Sequence, residues 1–337
     1  MGVRVALLGL GRIASLLEDD AKREKPASHA GAFTAAGAVL AGGWDTDPDR
    51  RAAFSQRWNA PTDFDDAASL LALKPDIAVI ATYPDSHAAL VTLACRAGVP
   101  VVVCEKPLTA DLGEARRLVR SARRLHSRVM VNHERRYARD YLRVRSLIQA
   151  GTYGQLKSVQ AKLYMGRNRA PGEVLLWDGT HMIDILRFLT GGEVSRVTAW
   201  GQPETAGGWL TARFVVGETE VWLETAADRD HLVFELDLGF ETGRVRIGNG
   251  LYEEFVGASS PLYDKMRSLV PVEVDQAQLY PTRYFAGMAE DAVRAAAEPG
   301  YQPASTMADG LAALKAIDAL LRASRSNLKR IARLTYT

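Results

Sequence analysis

Five short apolar runs dominate the first part of the chain, at residues 3–8, 39–44, 76–82, 99–104 and 129–131. Short runs that are almost entirely apolar are typical of parallel strands that are buried on both faces. The segments between them carry helical periodicity, and helices are the usual connections between parallel strands. The sequence therefore predicts an α/β fold whose N-terminal part is a doubly wound parallel sheet.

The pattern changes beyond about residue 150, where apolar residues alternate with polar ones. Residues 232–238 alternate leucine or phenylalanine with acidic residues, and residues 210–216 repeat the pattern. Glycine-rich turns at 207–208 and 248–250 separate such runs, which predicts an open, mainly antiparallel sheet with one covered face. We therefore expect an α/β domain over 1–127, an α+β domain over 128–304, and a helix over 305–325 that packs back on the first domain.

Composition excludes several classes of protein. The chain has 337 residues and a formal net charge of +2, which is too small to predict a nucleic-acid or membrane-surface partner. Its two cysteines lie in apolar runs, so a disulfide framework is not expected. The apolar N-terminal run is too short for a signal peptide, and no run reaches membrane-spanning length. We expect a soluble cytoplasmic protein.

A glycine-rich turn follows the first apolar run, in the pattern Gly9-x-Gly11-x-x-Ala14. Gly9 permits a tight turn, and Gly11 lets a dinucleotide pyrophosphate approach the backbone amides. The turn predicts cofactor contacts from Gly9, Gly11, Arg12 and Ile13. We expect a helix to begin at about Ile13.

Asp45 ends the second apolar run and is the candidate ribose ligand. A carboxylate at this position accepts hydrogen bonds from both ribose hydroxyls and repels a 2′-phosphate, which favours NAD over NADP. A charged insertion at residues 18–26 accounts for its long distance from the glycine turn. The alternative is a turn residue, although Asp47 suits that role better, and the nearby Arg50 and Arg51 keep the preference for NAD modest.

Lys106 follows the fourth apolar run within Glu105-Lys106-Pro107. Ligands of doubly wound folds bind at the carboxyl ends of the strands, so its ammonium could stabilise negative charge on a substrate oxygen. The alternative is an ion pair between Lys106 and Glu105 at the strand end.

Several motifs occur together in a recognisable order, and the chain resembles the Gfo/Idh/MocA oxidoreductase family. The motifs are Gly9-x-Gly11-x-x-Ala14, Thr82-x-Pro84-Asp85-x-His87, Glu105-Lys106-Pro107, Arg135-Arg136-Tyr137, and His181 with Asp184. The resemblance implies an N-terminal Rossmann domain and a C-terminal α+β domain whose open sheet serves oligomerisation, as a homodimer or homotetramer. It also implies that Lys106 is catalytic and that Thr82, Pro84, His87 and Glu105 lie on the cofactor. His87 could equally be a helix-start residue bonded to the backbone.

His181 is the second candidate catalytic residue. A neutral imidazole in a cleft can take up a hydroxyl proton, and a carboxylate can orient it. The family often has an aspartate four residues before this histidine, but here Trp177 occupies that position and Asp178 lies three residues before it. Asp178 either supports His181 or caps the helix. No third residue is spaced to complete a metal site, so we expect no metal.

Arg135, Tyr164 and Arg167 are candidates for the substrate side, together with Lys106 and His181. The resulting hypothesis is an NAD(P)-dependent oxidoreductase that transfers a hydride between the nicotinamide and a sugar or polyol hydroxyl or carbonyl. It requires Lys106 and His181 to meet over the nicotinamide. The alternatives are a non-catalytic NAD-binding regulatory or scaffold protein of the same fold, and an enzyme that reduces a non-sugar carbonyl or imine.

Overall fold

A computed structural model describes residues 2–122 and 126–335, with side chains up to residue 327. The chain divides into two compact units. The first comprises Met1–Ala138 and Pro281–Leu311, and the second comprises Arg139–Tyr280 and Ala312–Thr337.

The first unit contains a five-stranded sheet in which every pairing is parallel. Its spatial order is β2-β1-β3-β4-β5, which confirms the predicted doubly wound sheet. The strands β3 and β4 are buried at every position, as their apolar sequences require. The five strands are β1 (Arg4–Leu8), β2 (Val39–Trp44), β3 (Ile77–Ile80), β4 (Val101–Cys104) and β5 (Arg128–Val131).

The second unit contains an eight-stranded sheet in the order β13-β12-β11-β10-β6-β9-β8-β7. All of its pairings are antiparallel except that of β6 with β9, which confirms the predicted mainly antiparallel sheet. The strands are β6 (Leu156–Met165), β7 (Val194–Gly201), β8 (Trp209–Val216), β9 (Thr219–Ala226), β10 (Leu232–Phe240), β11 (Gly243–Gly248), β12 (Leu251–Ser259) and β13 (Arg267–Val272). In β10, Leu236 and Leu238 are buried, whereas Asp237 bonds Arg244 on the other face.

Ten α-helices accompany the sheets in the part of the chain that the structure describes. In the first unit, α1–α5 connect the parallel strands. The helices are α1 (His29–Ala35), α2 (Pro48–Trp58), α3 (Ala67–Leu71), α4 (Pro84–Arg96), α5 (Leu112–Ala122), α6 (Arg139–Ala150), α7 (Pro171–Trp177), α8 (Gly179–Thr190), α9 (Tyr284–Ala297) and α10 (Met307–Thr335).

The prediction of a helix from about Ile13 is wrong. The chain makes one helical turn after Gly11, enters a short 3₁₀ helix, and reaches α1 only at His29. The carbonyl of Ile13 accepts a hydrogen bond from His29 N (3.0 Å), and that of Ala14 accepts one from Ala30 N (2.9 Å). Residues 15–28 are therefore looped out of a helix that resumes at His29.

Two glutamates hold this insertion in place. Glu18 Oε1 accepts hydrogen bonds from the backbone amides of Ala27 (2.8 Å) and Ser28 (2.9 Å). Glu24 accepts bonds from the backbone amide of Thr282 (2.6 Å) and from its hydroxyl (2.9 Å), just before α9. Carboxylates that satisfy several amides compete with the backbone bonds of a continuous helix. The charged insertion expected at residues 18–26 lies inside this loop, whereas the bonds of Glu24 to Thr282 depend on a partner far away in the sequence.

The unit boundaries differ from the predicted ones. Strand β5 pairs with β4, which places residues 128–138 in the first unit. Helix α9 also belongs to the first unit, where Asp291 Oδ2 accepts a hydrogen bond from Tyr137 Oη (2.8 Å). At the start of α10, Asp309 pairs with Arg136 (3.0 Å) in the first unit, whereas residues 312–337 belong to the second.

Candidate cofactor and active site

The glycine turn after β1 has the geometry of a phosphate cradle. Gly9 has a φ of +88°, and an added Cβ would lie 2.7 Å from the carbonyl carbon and oxygen of Ala81. A Cβ on Gly11, by contrast, would find its nearest neighbour, Arg50 Nη1, at 3.7 Å. The turn is therefore closed on the β3 side and open at Gly11, where a side chain would fill the space. These residues fit a dinucleotide pyrophosphate bound on backbone amides.

Asp45 is buried at the carboxyl end of β2, beside this turn. Its Oδ2 accepts a hydrogen bond from Leu10 N (2.8 Å), and its Oδ1 accepts one from Asp47 N (2.9 Å). Oδ1 also accepts a long hydrogen bond from the Thr46 hydroxyl (3.5 Å), whereas Oδ2 keeps a second lone pair for another donor, such as a ribose hydroxyl. Asp47 is the N-cap of α2, where its side chain accepts from Asp49 N and Arg50 N. The capping role therefore belongs to Asp47, which leaves Asp45 as the candidate ribose ligand.

The loop after β3 leads directly into α4. Tyr83 is 73 % exposed, whereas His87 in the first turns of the helix is fully buried. The Nδ1 atom of His87 lies 2.9 Å from the carbonyl oxygen of Pro107, and its Nε2 lies 3.1 Å from that of Thr82. The His87 ring thus links the loop after β3 to the Glu105-Lys106-Pro107 segment. His87 therefore makes the backbone bonds of the alternative, and the cofactor contacts of Thr82 and Pro84 stay predictions.

Glu105-Lys106-Pro107 stands at the carboxyl end of β4. Glu105 Oε1 accepts a hydrogen bond from Asn132 Nδ2 (2.6 Å) and lies 2.7 Å from His29 Nε2. Its other oxygen, Oε2, accepts a hydrogen bond from the backbone amide of Lys106 (3.2 Å). Burial raises the pKa of Glu105, but the bonds and charges of His29, Asn132 and Lys106 outweigh it and hold the pKa at about 2. The carboxylate is therefore ionised and fixed by three donors, one of which is the backbone amide of Lys106.

His29 and Asn132 were not identified from the sequence. Both are buried, at 0 % and 1 % exposure. The available signals were a histidine directly after the helix-capping Ser28 and an amide directly after the last parallel strand. The partner of both residues, Glu105, lies far away in the sequence, which is why neither signal was specific.

In the second unit, His181 lies in the first turn of α8 and is 8 % exposed. Asp178 occupies the N-cap position of α8, but its side chain makes no capping bond. Its carboxylate accepts a hydrogen bond from Arg169 Nη1 (2.9 Å), and its carbonyl accepts one from His181 N (3.2 Å). The capping alternative therefore fails, and the support of His181 by Asp178 stays a prediction.

Tyr164 and Arg167 lie near the end of β6. The guanidinium of Arg229 stands 5.5 Å from the Tyr164 ring centre, and the ring of His231 contacts its edge. Desolvation and a hydrogen bond to Glu224 raise the pKa of Tyr164 to about 12. Arg167 is exposed and lies 3.6 Å from Asp230.

The arrangement of β6 separates Tyr164 from the helix-covered side of the sheet. Its neighbour Leu163 faces α8, since a Cβ added to Gly179 would lie 3.5 Å from Leu163 Cδ2. Adjacent strand residues point to opposite faces. The substrate contacts predicted for Tyr164 and Arg167 stay predictions, as does that of Arg135 in the 3₁₀ turn at Glu134–Tyr137.

Among the described residues, no group of three or more histidine, cysteine, aspartate or glutamate side chains is placed to hold a metal ion. Within the same residues, every helix is too short or too polar for a membrane span.

Comparison with known proteins identifies the family. Residues 3–133 match the model of an oxidoreductase family with an NAD-binding Rossmann fold, and residues 141–237 match the GFO/IDH/MocA C-terminal domain. The chain belongs to the Gfo/Idh/MocA oxidoreductase family. The resemblance inferred from the motifs is thereby confirmed, and the first unit is an NAD-binding Rossmann domain.

Individual relatives support the same assignment. An inositol 2-dehydrogenase of Gluconacetobacter diazotrophicus is 31% identical over 205 residues, which cover 57% of this chain and 56% of the relative. An inositol 2-dehydrogenase of Rhizobium meliloti is 26% identical over 351 residues, which cover 96% of this chain and 97% of the relative. The WlbA dehydrogenase of Bordetella pertussis, solved in complex with NADH and UDP-GlcNAcA, has a TM-score of 0.74 at 21% identity, covering 97% of this chain and 96% of that one. The chain spans about half the length of the first curated relatives that it matches.

Proposed function

We propose that the protein is an NAD-dependent oxidoreductase that transfers a hydride between the nicotinamide and a hydroxyl or carbonyl carbon of a sugar or polyol. The observation that carries the proposal is the ionised Glu105 carboxylate, which fixes the backbone of Lys106 in the same unit as the open glycine turn. A binding module needs the turn but has no use for a fixed lysine. The family membership and the relatives named as inositol 2-dehydrogenases add support.

Each candidate residue has one proposed task. The ammonium of Lys106 donates a hydrogen bond to the reacting oxygen and stabilises the negative charge that develops there. The imidazole of His181 takes the hydroxyl proton during oxidation and returns it during reduction. Asp178 orients that imidazole. Bound NAD supplies the hydride acceptor, and the glycine turn and Asp45 hold it.

Asp45 also carries the proposed preference for NAD. A buried carboxylate at the ribose position repels a 2′-phosphate. The guanidinium of Arg50 faces two carboxylates: its Nη1 lies 3.7 Å from Asp45 Oδ2, and its Nε lies 3.3 Å from Asp47 Oδ2. The two carboxylates therefore share the positive charge of Arg50. This pairing weakens Arg50 as a phosphate ligand.

The substrate that we propose is uncharged. Three arginines near the predicted substrate segments face carboxylates: Arg136 pairs with Asp309, Arg167 with Asp230, and Arg169 with Asp178. A paired guanidinium has less charge left for a substrate carboxylate or phosphate. We therefore favour a neutral cyclitol or sugar over a uronate or a nucleotide sugar.

A substrate panel tests the proposal. NADH formation is followed by absorbance with inositols, aldoses and sugar acids, with NAD and NADP in parallel, and NAD affinity is measured separately by calorimetry. We expect turnover of a neutral polyol with NAD, and loss of turnover in Lys106→Ala and His181→Asn with NAD affinity retained. NAD binding without turnover of any substrate, carbonyl and imine compounds included, would favour the regulatory alternative.

We also propose that the protein assembles as a homodimer or homotetramer in the cytoplasm, with its two cysteines reduced. Three tryptophans are 40–47 % exposed on neighbouring strands of the second sheet: Trp200, Trp209 and Trp222. Large exposed aromatic side chains are typical of protein interfaces. Light scattering should report a dimer or tetramer for the wild type and a smaller species for Trp222→Glu.

A further inference from the structure

We infer that His29 is a positioning residue, which holds the Glu105 carboxylate and through it sets the place of Lys106 relative to the glycine turn. The inference rests on the proposed function, in which Lys106 contacts the reacting oxygen. His29 itself is buried and touches no substrate, so its effect is transmitted through Glu105.

A continuous series of hydrogen bonds supports this role. The backbone amide of His29 bonds the carbonyl of Ile13 in the cofactor turn (3.0 Å), and its Nε2 lies 2.7 Å from Glu105 Oε1. The other oxygen of Glu105 accepts the backbone amide of Lys106 (3.2 Å). His29 is thus the direct link between the turn that receives the cofactor and the segment that carries the lysine.

The surroundings of His29 fix the orientation of its ring and show which nitrogen bonds Glu105. The ring is 0 % exposed and packs edge-on against Phe285, with 5.4 Å between ring centres. Its Nδ1 has no hydrogen-bond partner among the described residues. The ionised carboxylate of Glu105 can only accept, so Nε2 carries a proton and donates it to Glu105.

Loss of this donor should displace the lysine without abolishing the fold. Asn132 Nδ2 donates to the same oxygen of Glu105 at 2.6 Å, so the carboxylate would keep one of its two side-chain donors. Glu105 would then be held by Asn132 Nδ2 and the backbone amide of Lys106 alone. A misplacement of a catalytic group by about 1 Å can cost about 100-fold in rate.

Two amide substitutions separate the two ring nitrogens. The side-chain amide of His29→Gln can reach the position of Nε2 and donate to Glu105, whereas the shorter amide of His29→Asn reaches only the position of Nδ1. Asn132→Ala removes the second donor from the same oxygen and provides an independent variant. All three are compared with the wild type as full-length protein.

Turnover provides the first measurement. We expect His29→Asn to lower kcat by about 10–100-fold with unchanged NAD affinity, and His29→Gln to stay within about threefold of the wild type. Equal kcat in His29→Asn and wild type, or an equal loss in His29→Gln and His29→Asn, would overturn the inference.

The NMR signal of ¹³C-labelled lysine provides a measurement that needs neither cofactor nor substrate. The Lys106 resonance is assigned by its disappearance in Lys106→Ala. We expect it to shift in His29→Asn and Asn132→Ala and to keep its position in His29→Gln. If the wild type turns over no substrate, the proposed function fails. The Lys106 resonance still tests the positioning role of His29 in that case. An unchanged resonance in both His29→Asn and Asn132→Ala would reject that role. If His29→Asn does not fold, Asn132→Ala decides the result in the same way.

Discussion

Replacing Gly9 by alanine should damage the fold, whereas the same change at Gly11 should damage only cofactor binding. At Gly9 the new Cβ would lie 2.7 Å from two backbone atoms of Ala81 and 2.8 Å from Thr82 N. These neighbours are main-chain atoms and cannot rotate away. The φ of +88° adds strain that alanine does not tolerate.

The two penalties can be added approximately. A left-handed backbone costs a non-glycine residue about 1–2 kcal/mol. Forcing a methyl group into packed surroundings costs about 1–3 kcal/mol more. The free energy of unfolding of the first unit should therefore fall by about 2–5 kcal/mol, and its melting temperature by roughly 4–20 °C.

The matched variant is Gly11→Ala, whose Cβ has its nearest neighbour at 3.7 Å, the mobile end of Arg50. Calorimetric melting without cofactor should leave Gly11→Ala close to the wild type and Gly9→Ala well below it. Titration with NAD should show weaker binding for Gly11→Ala, because the methyl group occupies the pyrophosphate position. Equal melting temperatures for the two variants would refute the reasoning.

Three further predictions concern carboxylates. Asp45→Asn should weaken NAD binding by about 10–100-fold in calorimetry, because charged hydrogen bonds to the ribose are lost. The helix-cap variant Asp47→Asn should keep the wild-type affinity for NAD. Equal NAD affinities of the two variants would contradict the ribose role of Asp45. Because its folded pKa of about 2 lies below the ordinary 4.5, Glu105 stabilises the fold above pH 4.5, and this contribution is lost as the pH falls from 4.5 towards 2. The melting temperature of Glu105→Gln should therefore vary less with pH in that range, and an unchanged slope would argue against an ionised Glu105. Asp178→Asn should lower kcat by about tenfold, and Arg169→Ala should lower it less. Equal effects on kcat would indicate that Asp178 acts only as the ion-pair partner of Arg169.

The sequence predicted the elements whose signals are local. The five apolar runs became the parallel strands, and β3 and β4, which are buried at every position, contain no polar residue. The alternation in β10 likewise became a strand with one covered face. The Thr306-x-x-Asp309 spacing predicts a helix cap, and both the amide and the hydroxyl of Thr306 donate to Asp309 Oδ2 at the start of α10.

Features that depend on distant partners could not be predicted in this way. The sequence indicates a charged insertion at residues 18–26, but not its full extent over residues 15–28 or the bonds of Glu24 to residues near α9. The supports of Glu105 come from α1 and from the end of β5. Asp178 fits both a cap and a catalytic partner by spacing alone, and only the position of Arg169 shows which bond its carboxylate makes.

A crystal structure with NAD and a polyol that the enzyme turns over would test the central claim most directly. The measurement is the distance from the reacting hydroxyl oxygen to Lys106 Nζ and to the nearer ring nitrogen of His181. We predict that both distances are about 3 Å, with the hydroxyl-bearing carbon against the nicotinamide ring. A substrate oxygen out of hydrogen-bonding reach of either side chain would contradict the account.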